Sequence, residues 1–358
     1  MSQLQWLEVR DFRNLSELDF VPDPSGLTVV TGENGAGKTS ILEAISYCST
    51  QQSFRGSPRE ALVQNGAARA ILRSEIEESG RRTLVEIEIA PPRRDQAYLN
   101  RQRVQRAAEL LEALQVTIFT PDDLVLVKGG PHERRDYLDG VLVMAHPRLA
   151  ATCQALDRVL RQRATLLKQV GGRLDEQSAH TLDVWDEQLA TTGTIVVEAR
   201  ETLVAELQPF ASAAFSRLTG LPGELRLGYH RSFEGTLAEA IGRSRAEDLR
   251  RGATTIGPHR DELQISLGEL DARSRLSQGR QRASTLALRL AAHEVVTEHV
   301  GSRPILLLDD AFSELDSQTA SALFSELPEG QAVLTTAGPL PAQAEAATLV
   351  ELRAGKLL

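Results

Sequence analysis

The chain has 358 residues, 41% of them hydrophobic and 25% charged, a length that suggests about two domains and a composition that excludes disordered or fibrous classes. No apolar run approaches the roughly 18 residues needed to cross a bilayer, and two cysteines, Cys48 and Cys153, can build neither a disulfide framework nor a four-ligand zinc site. The net charge of −9 excludes a polycation that coats nucleic acid by bulk attraction, so such contacts would need local basic surface or assembly.

Residues 1–12 alternate apolar with charged side chains and lack the basic-then-apolar order of an export signal. A reducing, cytoplasmic setting without membrane attachment is expected. Only four of the 40 Lys+Arg are lysine, namely Lys38, Lys128, Lys168 and Lys356. Arginine suits phosphate recognition because its planar fork donates two parallel hydrogen bonds, although genome composition alone can enrich it.

Residues 4–90 have a β-rich texture, with strands expected at 4–9, 27–30 and 83–89. Between the second and third, Ile41, Leu42, Ala44, Ile45 and Cys48 share one face of a helix over 39–49. That helix is preceded by Gly32-Glu33-Asn34-Gly35-Ala36-Gly37-Lys38-Thr39, which fits G-x-x-x-x-G-K-[ST], with Ser40 continuing into the helix. Glycines let the backbone aim successive amides at phosphate oxygens, and the helix N-terminus adds its positive end. Lys38 would neutralise the β and γ phosphates of a nucleotide, and Thr39 would place its hydroxyl on Mg²⁺. A glycine-rich turn that binds nothing is the weaker reading.

From 132 to about 215 the pattern is helical. Leu149, Cys153, Leu156, Leu160 and Leu167 repeat in steps of four and three, with Arg163 out of character. After Gly171-Gly172 the repeat resumes at Leu182, Trp185, Leu189, Val196, Ala199, Leu203 and Phe210. An antiparallel helical hairpin or an ordinary bundle fits equally well.

The last third returns to α/β texture, with a helix over 277–299 and strands at 305–308, 332–335 and 348–351. The run Ile305-Leu306-Leu307-Leu308 ends in Asp309-Asp310, where a phosphate-binding loop needs its metal-side carboxylate. Asp309 would sit in the Mg²⁺ shell and Asp310 would orient or deprotonate the attacking water. The expected fold is α/β, a P-loop ATPase head built from both chain ends around a largely helical insertion. The boundaries expected are 1–120 and 252–358 for the head and 121–251 for the insertion.

Leu276-Ser277-Gln278-Gly279-Arg280-Gln281 opens the 277–299 helix. It resembles the Leu-Ser-Gly-Gly-Gln signature of ABC-type ATPases, in which the serine hydroxyl and glycine amide reach the γ-phosphate of ATP held by a second subunit. By that resemblance Ser277 and Gly279 act in trans. Ser313-Glu314-Leu315-Asp316 resembles the D-loop of the same class.

With Asp11-Phe12-Arg13-Asn14, Ser53-Phe54-Arg55 and the segments 119–124, 130–139 and 257–263, the chain resembles the RecF family of SMC-like ATPases over essentially its whole length. The resemblance implies an ATP-dependent DNA-binding homodimer that hydrolyses ATP slowly, with Arg55 reaching the phosphates. It further implies action at single-stranded or gapped DNA with RecR and RecO, support of RecA loading and a part in the SOS response. Alternatives are the nucleotide-binding subunit of an ABC transporter and a non-hydrolysing SMC-like scaffold. Two departures argue against fast turnover: the signature reads Ser-Gln-Gly-Arg-Gln, and Asp310 stands where transporter ATPases have Glu. No switch histidine follows 332–336, and for His259 a structural or DNA-facing role is favoured over catalysis. Candidate DNA-facing cations are Arg93, Arg94, Arg101, Arg103 and Arg106, with Arg243, Arg245, Arg250 and Arg251 as a second cluster.

Overall fold

A computed structural model describes residues 2–220, 224–313, 315–338 and 346–357. The chain divides into two compact units: Met1–Asp123 with Ala214–Leu221 and Leu286–Leu358, and Leu124–Ala213 with Pro222–Thr285. Residues 252–285, expected in the head, thus group with the inserted unit.

The first unit opens with β1 (Ser2–Phe12), β2 (Leu15–Phe20), β3 (Leu27–Thr31) and α1 (Lys38–Thr50). It continues through β4 (Ala70–Glu78), β5 (Arg81–Ile89), β6 (Gln96–Leu99), β7 (Gln102–Arg103), α2 (Ala108–Ala113) and β8 (Val116–Phe119). The inserted unit carries α3 (Val125–Lys128), α4 (Pro131–Ala145), α5 (Ala150–Val170), most of α6 (Glu176–Thr219) and α7 (Leu237–Arg251). It also carries β9 (Leu225–His230), β10 (Glu262–Leu267), β11 (Leu270–Asp271), α8 (Ala272–Arg275) and the start of α9 (Gln278–Val300). The chain returns to the first unit for β12 (Ile305–Asp309), α10 (Ser317–Ser325), β13 (Ala332–Thr336), β14 (Thr348–Arg353) and β15 (Lys356–Leu357).

Two six-stranded sheets build the first unit. One is antiparallel, in the order β2-β1-β4-β5-β6-β7. The other runs β15-β14-β3-β13-β12-β8 and is parallel except at β15. Its central strands read as the unbroken apolar runs expected of a sheet covered on both faces. All five residues of β12 and of β13 are buried.

Helix α1 packs against strands of both sheets. That placement explains why nearly all of it is buried, from Ser40 to Ser49, and not only the apolar face that its periodicity marks. One core joins the sheets, with Leu7, Phe12 and Leu72 from one, Val30, Leu307 and Val333 from the other, and Ile41 and Ile45 of α1 between. The amide of Gln331 closes an inner edge, accepting from Leu4 N at 2.7 Å and donating to the carbonyls of Leu4 and Asp23.

In the inserted unit α5 ends at Gly171, whose φ of 56° makes a left-handed cap that glycine adopts without strain. Leu156, Val159, Leu189, Val196, Leu237 and Ile241 form its helical core, so α7 joins α5 and α6 in a bundle. Three strands, β11-β10-β9, pair antiparallel beside them, a sheet that the sequence pattern did not announce.

Arg163 is the feature that holds this bundle's polar interior. Fully buried in the repeat of α5, it donates to Asp186 at 2.7 Å and Thr254 Oγ1 at 2.8 Å, and pairs with Asp248 at 2.8 Å. A buried cation is tolerated only when paired in this way, and removing it leaves the buried Asp248 without its cation, while Asp186 keeps Arg245 at 3.3 Å. Arg163→Ala is therefore expected to destabilise the inserted unit by about 3–5 kcal/mol. Urea unfolding followed by Trp185 fluorescence in a Trp6→Phe background reads this directly, and a transition unmoved from that background would refute it.

Candidate functional site

Strand β3 delivers the chain into the loop 32–37, and α1 carries it away. Two glycines are obligatory there. Gly32 has φ 153° and its hypothetical Cβ would lie 2.2 Å from the Leu352 carbonyl oxygen; Gly37 has φ 110° and its Cβ would meet Leu15 at 2.8 Å. The loop is thus pinched between the β1–β2 turn and the β14–β15 hairpin, whose Gly355 amide donates to the Ala36 carbonyl at 3.0 Å. The Ala36 amide donates in turn to the Glu33 carbonyl at 3.1 Å.

The Lys38 ammonium folds back over the loop, donating to the carbonyls of Gly32 at 2.7 Å and Glu33 at 3.0 Å. These neutral acceptors hold the cation at the loop mouth, where a phosphate would compete for it with full charge. Thr39 Oγ1 donates to Asp309 Oδ1 at 2.8 Å, and Thr335 Oγ1 donates to the same oxygen at 2.6 Å. Burial pushes the Asp309 carboxyl up, Asp310 beside it adds to the rise, and the two hydroxyls and Arg55 oppose it. Asp310 follows at φ 47°, with its amide donating to the Thr335 carbonyl at 2.9 Å. A non-glycine residue in that region costs about 1–3 kcal/mol and recurs at functional sites.

Asn34, Gly35, Gly37, Lys38, Thr39, Ser40, Arg55, Asp309 and Asp310 together line one open cavity of about 700 Å³ in the first unit. Gly32, Glu33 and Ala36 shape the loop behind it. With Arg13 and Glu60 also in its lining, the cavity brings together an ammonium, two guanidiniums and three carboxylates beside the loop backbone, a set that includes what gripping a nucleotide's phosphates and a hard cation needs. Thr39 and Asp309 offer two oxygen donors side by side, which suits Mg²⁺, an ion commonly held by one or two protein oxygens plus phosphate. Among the described residues no cluster of His, Cys, Asp and Glu could hold a metal by itself.

Ser277 and Gly279 do not line this cavity. They belong to the inserted unit and are exposed where α9 begins, the Ser277 carbonyl accepting the first helical bond from Gln281 N at 2.9 Å. Gln281 is buried and braces the turn by donating to the carbonyls of Ala272 and Arg273, both at 3.0 Å. Of the D-loop residues Ser313, Leu315 and Asp316 are described, and Glu314 lies outside the described residues. Asp316 caps α10 by accepting from Thr319 N at 2.9 Å.

Two residues outside every motif stand at the centre of the site. Asn14 Nδ2 donates to the Gly35 carbonyl at 2.9 Å and its Oδ1 accepts from Ser40 Oγ at 2.9 Å, so one side chain clamps both ends of the loop. Thr335 fastens Asp309 and Asp310 together. Their sequence signal is local at most: Asn14 ends the Asp11–Asn14 segment, and Thr335 lies in the apolar run 332–335, which no histidine follows.

The segments 130–139 and 257–263 meet in the inserted unit. Arg134 donates to Glu262 at 2.6 Å, Arg135 to the Asp261 carbonyl at 2.9 Å, and Arg200 both to Asp139 at 2.7 Å and to the Pro258 carbonyl at 2.7 Å. His259 is packed among them with Nε2 3.1 Å from the Thr254 carbonyl oxygen, and burial lowers its pKa to about 4. A half-buried imidazole with its pKa held down in this way fits a structural role.

Lys38→Met is expected to abolish nucleotide binding, because it removes the one ammonium in the cavity lining and puts an apolar side chain at the loop mouth. Equilibrium binding of a fluorescent ATP analogue checks this, and wild-type affinity in the variant would refute the assignment.

A family model described as the RecF/RecN/SMC N terminal domain matches residues 3–337. A "DNA replication and repair protein RecF" from Kineococcus radiotolerans is 40% identical over 365 residues, covering 94% of this chain and 92% of that protein. One of the same description from Streptomyces avermitilis is 38% identical, covering 92% of each. Among solved structures, the recombination mediator protein RecF with ATP in the RecFOR pathway superposes at a TM-score of 0.90 with 25% identity, covering 100% of this chain and 97% of that one. The Smc head domain of Pyrococcus furiosus gives 0.59 at 18% identity, covering 100% and 96%, a likeness of fold alone. With a glycine-rich loop of the phosphate-binding pattern, Thr39 bonded to Asp309 and these relatives over nearly its full length, the chain belongs to the RecF family of SMC-like P-loop ATPases.

Proposed function

We propose that this chain is an ATP-dependent DNA-binding protein of recombinational repair and replication-fork maintenance, acting as an ATP-bound homodimer on single-stranded or gapped DNA. In this reading it hydrolyses ATP slowly, DNA stimulates the hydrolysis, and the nucleotide serves as a switch. RecR and RecO are its partners, RecA loading its indirect outcome, and the SOS response its wider setting. The gathering of Lys38, Thr39, Asp309 and Asp310 in one cavity carries the ATPase part. The names of the relatives carry the repair part.

Within the cavity, Lys38 and the loop amides would hold the β and γ phosphates, and Arg55 would add a second cation. Thr39 and Asp309 would hold Mg²⁺, which when bound with ATP offsets charge on the phosphate oxygens. Asp310 would orient the attacking water or take its proton, a reading supported by the hold that Thr335 has on its amide.

The signature supports assembly. A site completed by a second copy needs Ser277 and Gly279 open to that copy, and both are exposed, with nothing within 4 Å of where a Gly279 Cβ would stand. Ser277→Arg should leave ATP binding to the monomer intact and block ATP-driven dimerisation, since the longer cation removes the hydroxyl and meets an unfavourable helix end. Sedimentation velocity of wild type and variant in ATP-Mg²⁺, with nucleotide binding measured beside it, tests this. Normal dimerisation by the variant would refute the composite site.

A further inference from the structure

Most arginines on the antiparallel sheet are neutralised where they stand. Arg10 bonds Glu8 and Glu17, Arg69 pairs with Glu88, Arg73 with Glu86 and Glu8, and Arg82 with Glu75 and Glu77. The second basic cluster is likewise compensated: Arg245 pairs with Asp183 and Asp186, Arg250 and Arg251 with Glu247, and Arg243 donates to the Glu234 carbonyl. Arg103 shares a cleft with Glu78, Glu109 and Glu112.

The loop between β5 and β6 is different. Arg93 and Arg94 are exposed neighbours, and neither has a carboxylate within ion-pair distance among the described residues. Two adjacent guanidiniums left uncompensated on a chain of net charge −9 suit a polyanion that supplies the missing charge in bidentate form.

The same loop is fastened to the nucleotide cavity from two directions. Tyr47, in the last turns of α1, donates its hydroxyl to Asp95 Oδ2 at 2.5 Å. Arg59 lies with Nε 3.0 Å from Asp95 Oδ1 in a Coulombic contact without hydrogen-bond alignment, and its Nη2 donates to the Arg93 carbonyl. Both anchors connect to the cavity lining. Helix α1 starts with Lys38 and Thr39, and Arg59 belongs to a segment whose Arg55, Glu60 and Ala61 line the cavity. Arg13 stiffens that segment, donating to Ser57 Oγ at 2.6 Å, the Ala61 carbonyl at 3.0 Å and buried Glu43 of α1 at 2.6 Å.

We propose that Arg93 and Arg94 contact the phosphate backbone of DNA, and that Asp95, held by Tyr47 and Arg59, couples the position of this loop to nucleotide occupancy of the cavity. The proposal rests on the DNA-binding reading above and deepens it. Contacts of this kind fix placement on DNA and carry no sequence information. Each one neutralised releases counterions, giving a slope of about 0.7–0.9 in the logarithm of affinity against the logarithm of salt.

The test uses the full chain and a fluorescent gapped duplex of arbitrary sequence, titrated over a range of salt with and without ATP-Mg²⁺. Arg93→Ala/Arg94→Ala should weaken binding in ATP by about tenfold or more, as expected for two charged hydrogen bonds. It should also flatten the salt slope by about 1.4–1.8, with ATP binding in the absence of DNA unchanged. Asp95→Asn should keep the nucleotide-free DNA affinity and lose much of the gain that ATP brings. Tyr47→Phe, which removes one hydroxyl only, should move the same way and decides the matter if Asp95→Asn folds poorly. Wild-type affinity and slope in the double variant overturn the DNA contact, and a full ATP-dependent gain in Tyr47→Phe overturns the coupling. A wild-type protein that binds no DNA under any condition overturns the DNA-binding reading itself, a result distinct from both.

Discussion

The hydrogen bond from Thr39 to Asp309 spans 270 positions of sequence, and the architecture of the first unit follows from the need to make it. The glycine-rich loop and Asp309 follow the same ends of two parallel strands, β3 and β12, which are not neighbours: β13 lies between them and pairs with both. Thr335, on that intervening strand, donates to the same Asp309 oxygen and accepts the Asp310 amide. The strand that separates the two motifs therefore also joins them. Because its halves lie at opposite ends of the chain, the inserted unit has room to exist between them without interrupting the sheet.

Arginine does two jobs in this molecule, and burial distinguishes them. Arg163, Arg134 and Arg200 are buried, each with a carboxylate within 2.8 Å, and they hold together segments distant in sequence. A buried guanidinium gains from this only because its fork is satisfied on several sides. Arg93 and Arg94 have the opposite surroundings: both are exposed, with no carboxylate at ion-pair distance among the described residues. An arginine-rich, acidic chain can thus keep most of its cations for internal pairing and leave a few to face a polyanion.

Much of the first unit was legible in the sequence, because its signals are local. The glycines at 32 and 37, the lysine that follows and the apolar run ending in Asp309 each carry their chemistry within a few residues. What was not legible depends on distance along the chain. Asn14 clamps a loop 21 residues away, and Arg163 finds partners 23 and 91 positions along, so it looked like a fault in a helical repeat. The β9–β11 sheet was missed because Leu225–His230 is only partly buried and lacks a strict two-residue alternation. The burial of α1 on all sides exceeded its pattern, since a helix between two sheets buries even its polar positions.

The central claim is that a working site needs Lys38 from one copy and Ser277 from another. Mixing two inactive chains, Lys38→Met and Ser277→Arg, tests it without reference to DNA. A two-fold dimer of one of each contains one site with both residues intact, so an equimolar mixture should regain ATP hydrolysis that neither variant shows alone, up to about half of wild type if every dimer is mixed. A mixture no more active than either variant alone would contradict the account.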